Sequence, residues 1–214
     1  MLLSVVVIVT LVCAAFADRL WRARREKLAV AQVLRVGGSV QYDYEIDSDG
    51  WFNTKSGLIR PSWLRKLTGH ALFASIVGVN LVESNVTDGR VADLDLEIFQ
   101  KVELSKQDIT DAALAEVAKW WGLTHLGLNG TQVTDGGLAN LKGLIDLESF
   151  HLRDTQITDT GLEHLKKMKK LRHLIFVNSP VTQAGVDDLQ QELPQVKISW
   201  GFQGEYRVSN PEGP

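Results

Sequence analysis

Between Val79 and Trp200 one apolar pattern recurs at nearly constant spacing, and it restricts the possible folds more than any other feature of the chain. Its pivots are pairs two residues apart: Val79/Leu81, Val102/Leu104, Leu126/Leu128, Phe150/Leu152, Leu174/Phe176 and Ile198/Trp200. The first member advances by 23 residues once and then by 24 four times, a period that no single amphipathic helix or hairpin produces. Each unit is too short to bury its own apolar side, so the units must stack and bury it for one another.

The polar residues repeat in register with the apolar ones. Leu123-x-x-Leu126-x-Leu128-x-x-Thr131-x-Val133-Thr134-Asp135-x-Gly137-Leu138 is followed by Leu147-x-x-Phe150-x-Leu152-x-x-Thr155-x-Ile157-Thr158-Asp159-x-Gly161-Leu162. The unit from Leu171 keeps Ser179, Val181, Thr182 and Gly185 but carries Gln183 in place of the Asp. Looser units begin at Phe99 and at Ile76. A Leu-x-x-Leu-x-Leu core with a period in the twenties is the signature of leucine-rich repeats. The expected fold is therefore α/β: a right-handed leucine-rich-repeat solenoid of about five repeats with parallel strands, preceded by an N-terminal apolar helix and a capping helix.

Within a unit, a pair such as Leu126/Leu128 points into the core from a short strand, because side chains two apart share a face. Gly127 is then expected to face solvent. Thr131 and Thr155 stand where the chain leaves the strand, and a hydroxyl there can bond backbone groups opened by the turn. The Thr-Asp pair marks a helix N-terminus. Leu162, Leu165, Met168 and Leu171 recur every three residues, as a short helical segment against the core requires.

The Thr-Asp-x-Gly-Leu frame resembles the cysteine-containing-type subclass of leucine-rich repeats, found in bacterial internalin-like proteins and F-box-associated adaptors. The whole chain is similar to short membrane-anchored bacterial leucine-rich-repeat proteins. Those share an apolar N-terminus, a basic juxtamembrane stretch, a Gly-Gly-x-Val-x-Tyr-Asp-Tyr segment, here Gly37 to Tyr44, and a Trp-Leu-x-x-Leu-x-Gly entry helix, here Trp63 to Gly69. The resemblance implies a binding module tethered to a membrane.

Along the chain, residues 1–21 form an expected membrane anchor, with a cleavable signal peptide as the rival reading. Leu2 to Ala17 is apolar but for Ser4 and Thr10, and Ala15-Phe16-Ala17 has the form of a cleavage site. The basic cluster Arg19, Arg22, Arg24, Arg25 and Lys27 follows directly. That flank favours an uncleaved anchor with the repeats on the cytoplasmic side; the alternative is a secreted or periplasmic chain. Residues 22–60 read as a juxtamembrane helix, stopping at Gly37-Gly38, and a strand-turn linker through Val40, Tyr42, Tyr44 and Asp47 to Gly50. Residues 61–78 read as an N-terminal cap helix beginning at Pro61. Residues 79–202 form the repeat domain, with Phe202 and Tyr206 expected to close its far end. Residues 203–214 read as a C-terminal tail, frayed from Ser209 onward.

The net charge is −3, which argues against nucleic acid as a partner. The single cysteine, Cys13, excludes an internal disulfide. No Gly-x-Ser-x-Gly elbow, phosphate loop, His-Glu-x-x-His or Cys-x-x-Cys occurs, so no catalytic residue, metal site or cofactor is expected. What remains is a surface. By register the residues flanking each inward pair line the concave sheet face, exposed to solvent: Lys101, Glu103 and Ser105; His125, Gly127 and Asn129; Ser149, His151 and Arg153; His173, Ile175 and Val177. The expected function is a non-enzymatic, membrane-tethered scaffold that binds a protein partner through Lys101, Glu103, His125, Asn129, His151, Arg153 and His173. Arg153 is the expected anchor for a carboxylate, and the histidines around it are expected to make binding vary between about pH 5 and 8. The alternatives are substrate recognition of the ubiquitin-ligase-adaptor kind and an enzyme subunit using the His-containing face.

Overall fold

The structure, a computed structural model, describes residues 24–42, 76–82, 84–201 and 206–209, together with residues 17 and 21. Among the described residues one sheet runs in sequence order, with eight strands. Its six parallel members are β2 (Ile76–Asn80), β3 (Lys101–Glu103), β4 (His125–Gly127), β5 (Ser149–His151), β6 (His173–Ile175) and β7 (Lys197–Trp200). Val79, Val102, Leu126, Phe150, Leu174 and Ile198 stand opposite one another across the five parallel pairings. The sequence register is the structural register, and all the pivots are buried in one continuous core.

Between the strands run short helices: α2 (Asp88–Val91), α3 (Asp111–Val117), α4 (Asp135–Leu138), α5 (Asp159–Leu165) and α6 (Gln183–Glu192). A 3-10 turn, Ala139–Gly143, continues α4. Leu162, Leu165, Met168 and Leu171 are all buried, so the three-residue recurrence is the inward stripe of α5 and the turn after it.

The Thr-Asp-x-Gly frame has a physical explanation that joins units to one another. Thr110, Thr134 and Thr158 cap their helices, accepting from the amides of Ala112, Gly136 and Thr160; Thr182 does the same for Gly185. Each Thr also donates to the Asp of the preceding unit. Asp88 takes the amide and hydroxyl of Thr110 at 2.8 and 2.5 Å, and Asp111 those of Thr134 at 2.7 and 2.6 Å. Asp135 serves Thr158 and Asp159 serves Thr182 in the same way. The frame glycine makes room for this. A Cβ on Gly137, Gly161 or Gly185 would stand 2.3 Å from an oxygen of the incoming Asp. Gln183 ends the ladder: no further Thr follows it, and its side chain bonds Asp187 and Arg207 instead.

A second buried polar row satisfies the turns that leave the strands. Ser84, Gln107, Thr131, Thr155 and Ser179 occupy one position per unit and are all buried. The Thr131 and Thr155 hydroxyls donate to the Leu128 and Leu152 carbonyls at 2.6 and 2.7 Å, as the sequence suggests. Just before this row the backbone is left-handed once per unit, at Lys106, Gly130, Asp154 and Asn178, with φ of 59°, 65°, 56° and 62°.

Antiparallel strands continue the sheet at both ends, β1 (Ser39–Tyr42) on β2 and β8 (Arg207–Val208) on β7, so its edges are short strands, which limits unwanted pairing. The segment read as a juxtamembrane helix and strand-turn linker contains that helix, α1 over residues 24–35, which leads into β1. Ala29 and Val33 of α1 join the core. Arg25 grips Asp95 with two bonds, at 2.8 and 2.7 Å, and Glu97 with one at 2.8 Å. Gln32 spans the Asp93 carbonyl and the Asp95 amide.

The expected cap helix over residues 61–78 cannot reach its predicted end, because Ile76 already belongs to β2; the rest of it lies outside the described residues. So do Phe202, the Asp47 to Gly50 turn and the apolar run except Ala17. Tyr206 does not close the core, being 62% exposed. Ser209, expected to fray, is held by two 2.8 Å bonds, its amide to the Ile198 carbonyl and its hydroxyl from the Ile198 amide. The repeat sheet therefore runs past residue 202, to β8. Among the described residues no helix is long and apolar enough to cross a membrane.

Candidate partner-binding face

The concave face is built from the outward positions of the parallel strands, and their register sets three rows. Lys101, His125, Ser149 and His173 stand in the first; Glu103, Gly127, His151 and Ile175 in the second. Ser105, Asn129, Arg153 and Val177 follow two residues later. The strand-to-strand bonds continue that far: the amides of Lys106, Gly130 and Asp154 donate to the carbonyls of Asn129, Arg153 and Val177.

The rows are less open than the alternation of strand side chains implies. Lys101, Glu103, Ser105 and His125 are all buried, and Ser149 is only 1% exposed. Of the predicted site residues, Arg153 is exposed and Asn129, His151 and His173 are half-buried. Lys101, His125, Ser149 and His151 are all engaged in interactions, and His125 Nδ1 lies 2.9 Å from the Thr124 hydroxyl. Gly127, expected to face solvent, is covered. A Cβ there would stand 2.2 Å from both Glu103 carboxylate oxygens, so the missing side chain is the slot in which Glu103 lies. Sequence reasoning could not see this, because alternation fixes the direction of a side chain and not which neighbour folds over it.

Glu103 begins a chain of hydrogen bonds that crosses the face. Its Oε1 accepts from the Ser105 amide at 3.1 Å and from the Ser105 hydroxyl. The Ser105 oxygen accepts from the Asn129 amide at 2.8 Å, and Asn129 Oδ1 accepts from the Arg153 amide at 2.9 Å. Burial pushes the Glu103 carboxyl above the usual carboxylate range, against the two Ser105 bonds, which pull it down. His151 is lowered to about 4, first by burial and then by the positive fields of His125, Arg153 and His173. Its imidazole is therefore neutral at neutral pH. The expected histidine titration between pH 5 and 8 does not come from His151, because the site repels the proton that would charge it.

These residues border a concavity of about 600 Å³, whose lining includes Asn80, Glu103, Lys106, Asn129, His151 and Arg153. Four of the predicted site residues, Glu103, Asn129, His151 and Arg153, thus meet. Lys101, His125 and His173 lie in the row at the other end of the strands and are not among its lining residues. Lys106 is the residue the sequence reading missed. Its left-handed backbone at the strand exit sets it beside the groove, and the 24-residue offset from Gly130 is the signal that could have placed it. Among the described residues no three His, Cys, Asp or Glu side chains converge on a common point.

The continuous register of 23 or 24 residues, with Thr–Asp contacts joining successive units, decides the architecture. The fold is a leucine-rich-repeat solenoid. No family model matches the sequence, and no curated protein shows significant similarity to it. Several solved leucine-rich-repeat structures share part of the backbone course. Internalin C2 of Listeria monocytogenes is 22% identical, with 59% of this chain and 52% of that one covered and a TM-score of 0.48. A leucine-rich-repeat protein of Leptospira interrogans is 17% identical over 57% of this chain and 36% of that one, with a TM-score of 0.44. The ectodomain of the receptor kinase SOBIR1 from Arabidopsis thaliana is 13% identical over 83% of this chain and 93% of that one, at 0.41. The chain spans about half the length of the internalin it matches. The assignment of the leucine-rich-repeat fold rests on this chain's own register and contacts.

Proposed function

We propose that this protein is a non-enzymatic scaffold that binds a protein partner across the concave face of its solenoid. The observation that carries the reading is the groove itself: side chains from successive units, Lys106, Asn129, His151 and Arg153, open onto one preorganised concavity. A surface assembled this way suits an extended or convex partner rather than a small substrate. Its two exposed cations, Arg153 and Lys106, fit an acidic segment of that partner. Arg153 can take a carboxylate bidentately, and the neutral His151 beside it offers a hydrogen bond without adding charge.

The same proposal holds the chain at a bacterial membrane through its N-terminal apolar segment, Leu2 to Ala17, with the repeats on the cytoplasmic side. What supports it is the composition of that segment and the basic residues from Arg19 to Lys27 directly after it.

The test is a crosslinked affinity purification with two charge reversals of equal size. Arg153→Glu with Lys106→Glu alters the groove; Lys142→Glu with Lys167→Glu alters exposed positions on the helical side. Partner recovery is expected to fall only for the groove pair. Loss with the helical pair and retention with the groove pair would move the binding face to the other side of the solenoid.

A further inference from the structure

Helix α1 has an outer face that the sheet does not use. With about 3.6 residues per turn, Ala29 and Val33 point onto the first repeat, while Arg25 reaches Asp95 and Glu97. On the opposite arc stand Leu28 and Leu34, both more than half exposed, and at its border, one turn before Arg25, stands Trp21, 60% exposed. These are three of the seven large apolar side chains exposed among the described residues. Between them lie the exposed cations Arg24, Lys27 and Arg35. The arc carries no carboxylate: Glu26, the one acid between residues 24 and 35, turns instead into a groove shared with Arg25 and Phe99.

The apolar surface continues beyond the helix. Trp21 and Trp121 line the same groove, of about 440 Å³, and Trp121 is 72% exposed. The Arg25 guanidinium sits 5.4 Å from the Trp21 ring centroid, so the clamp on Asp95 and Glu97 also holds this ring beside the groove. Ile145, one unit beyond Trp121, is exposed as well. Trp121 and Ile145 occupy turns that lead from helix into strand, the edge of the solenoid away from the Thr–Asp ladder. A surface resting there leaves the concave face open.

We propose that the outer arc of α1, with Trp121, lies on an anionic lipid surface, its tryptophans and leucines in the headgroup layer and Arg24, Lys27 and Arg35 on lipid phosphates. A helix face that mixes Trp and Leu with Arg and Lys and carries no acid is built for that layer, because the long basic stems lie along the apolar boundary while their charges reach the headgroups. Charge selects this occupant over an ordinary protein partner. Three cations without a carboxylate stand out on a chain whose net charge is −3, and such a patch is drawn to a negative surface. The contact goes beyond the proposed tether and is carried by different residues.

The test uses the full chain in a Cys13→Ala background, with a nitroxide at Ala31→Cys, on the outer arc, or at Lys142→Cys, on the helical side. Both are reconstituted in vesicles of phosphatidylcholine alone or with a quarter phosphatidylglycerol. The readouts are flotation, with and without high salt, and nitroxide accessibility to an aqueous nickel complex. Position 31 should be roughly fivefold less accessible than position 142 on anionic vesicles, and charge reversal of Arg24, Lys27 and Arg35 should abolish the difference. Flotation on neutral vesicles with position 31 fully accessible would overturn this contact while the tether stands. Flotation on anionic vesicles only, reversed by salt, would support the contact and sink the tether. No flotation on either would sink both. Spin–spin broadening at position 31 that is the same in detergent as on vesicles would overturn the contact in favour of a second copy of the chain on this face.

Discussion

The carboxylate of Asp135 accepts both the amide and the hydroxyl of Thr158, at 2.8 and 2.6 Å, and Gly161 lies so close that a methyl group there would strike the same carboxylate. One residue of each unit is thus read by two residues of the next. Stacking the units is a matter of polar fit as well as of apolar burial.

Asp135→Ala should cost about 1–3 kcal/mol, since it leaves the partly buried Thr158 donors unpaired. Gly161→Ala should cost roughly 1 kcal/mol, limited because the second unit carries Ala113 at the same frame position opposite Asp88. The double variant should lose less than the sum, because removing the carboxylate removes the clash. Chemical denaturation of the four proteins measures this coupling, and strict additivity would mean that the two residues do not meet.

The left-handed position repeats through Lys106, Gly130, Asp154 and Asn178. Glycine adopts that backbone freely, whereas a Cβ costs about 1–2 kcal/mol. Gly130→Ala should therefore destabilise by about 1 kcal/mol, and Lys106→Gly should stabilise, read as opposite shifts in thermal midpoint.

The sequence made the core legible and left the contacts between units obscure. Leu128 and Leu152 were identifiable as core because period-two pairs inside a constant repeat have no other use, and Ala in place of either should cost about 2–5 kcal/mol in thermal unfolding. The Asp–Thr ladder was not legible, because its partners lie 22 or 23 residues apart and nothing local ties Asp111 to Thr134. The contacts of α1 are hidden for a related reason: Arg25 stands in a basic cluster by sequence, and its partners Asp95 and Glu97 lie 70 and 72 residues away. On the binding face, direction was legible and depth was not: Gly127 was placed on the correct side of the sheet but is roofed by Glu103.

Acid should act on this face through His151. Its folded value of about 4 lies below the ordinary 6.5, so between those values the unfolded chain binds a proton that the folded one refuses. Stability should fall as pH drops through that window, by roughly 3 kcal/mol at most, and His151→Gln should flatten the fall. Glu103 works in the opposite sense. Its raised folded value means that the penalty grows as pH rises above the carboxylate range, so Glu103→Gln should be more stable than the parent at neutral pH and equal to it in acid. Thermal midpoints across the acid-to-neutral range separate the two.

A partner seated on the concave side must lie within reach of Asn129 and away from Lys142. A photo-crosslinking amino acid placed at Asn129, in the groove, and separately at Lys142, on the helical side, tests it in intact cells. A discrete adduct at position 129, absent at 142 and lost when Arg153 and Lys106 are reversed in charge, is the predicted result. The same adduct at 142 with none at 129 would contradict it.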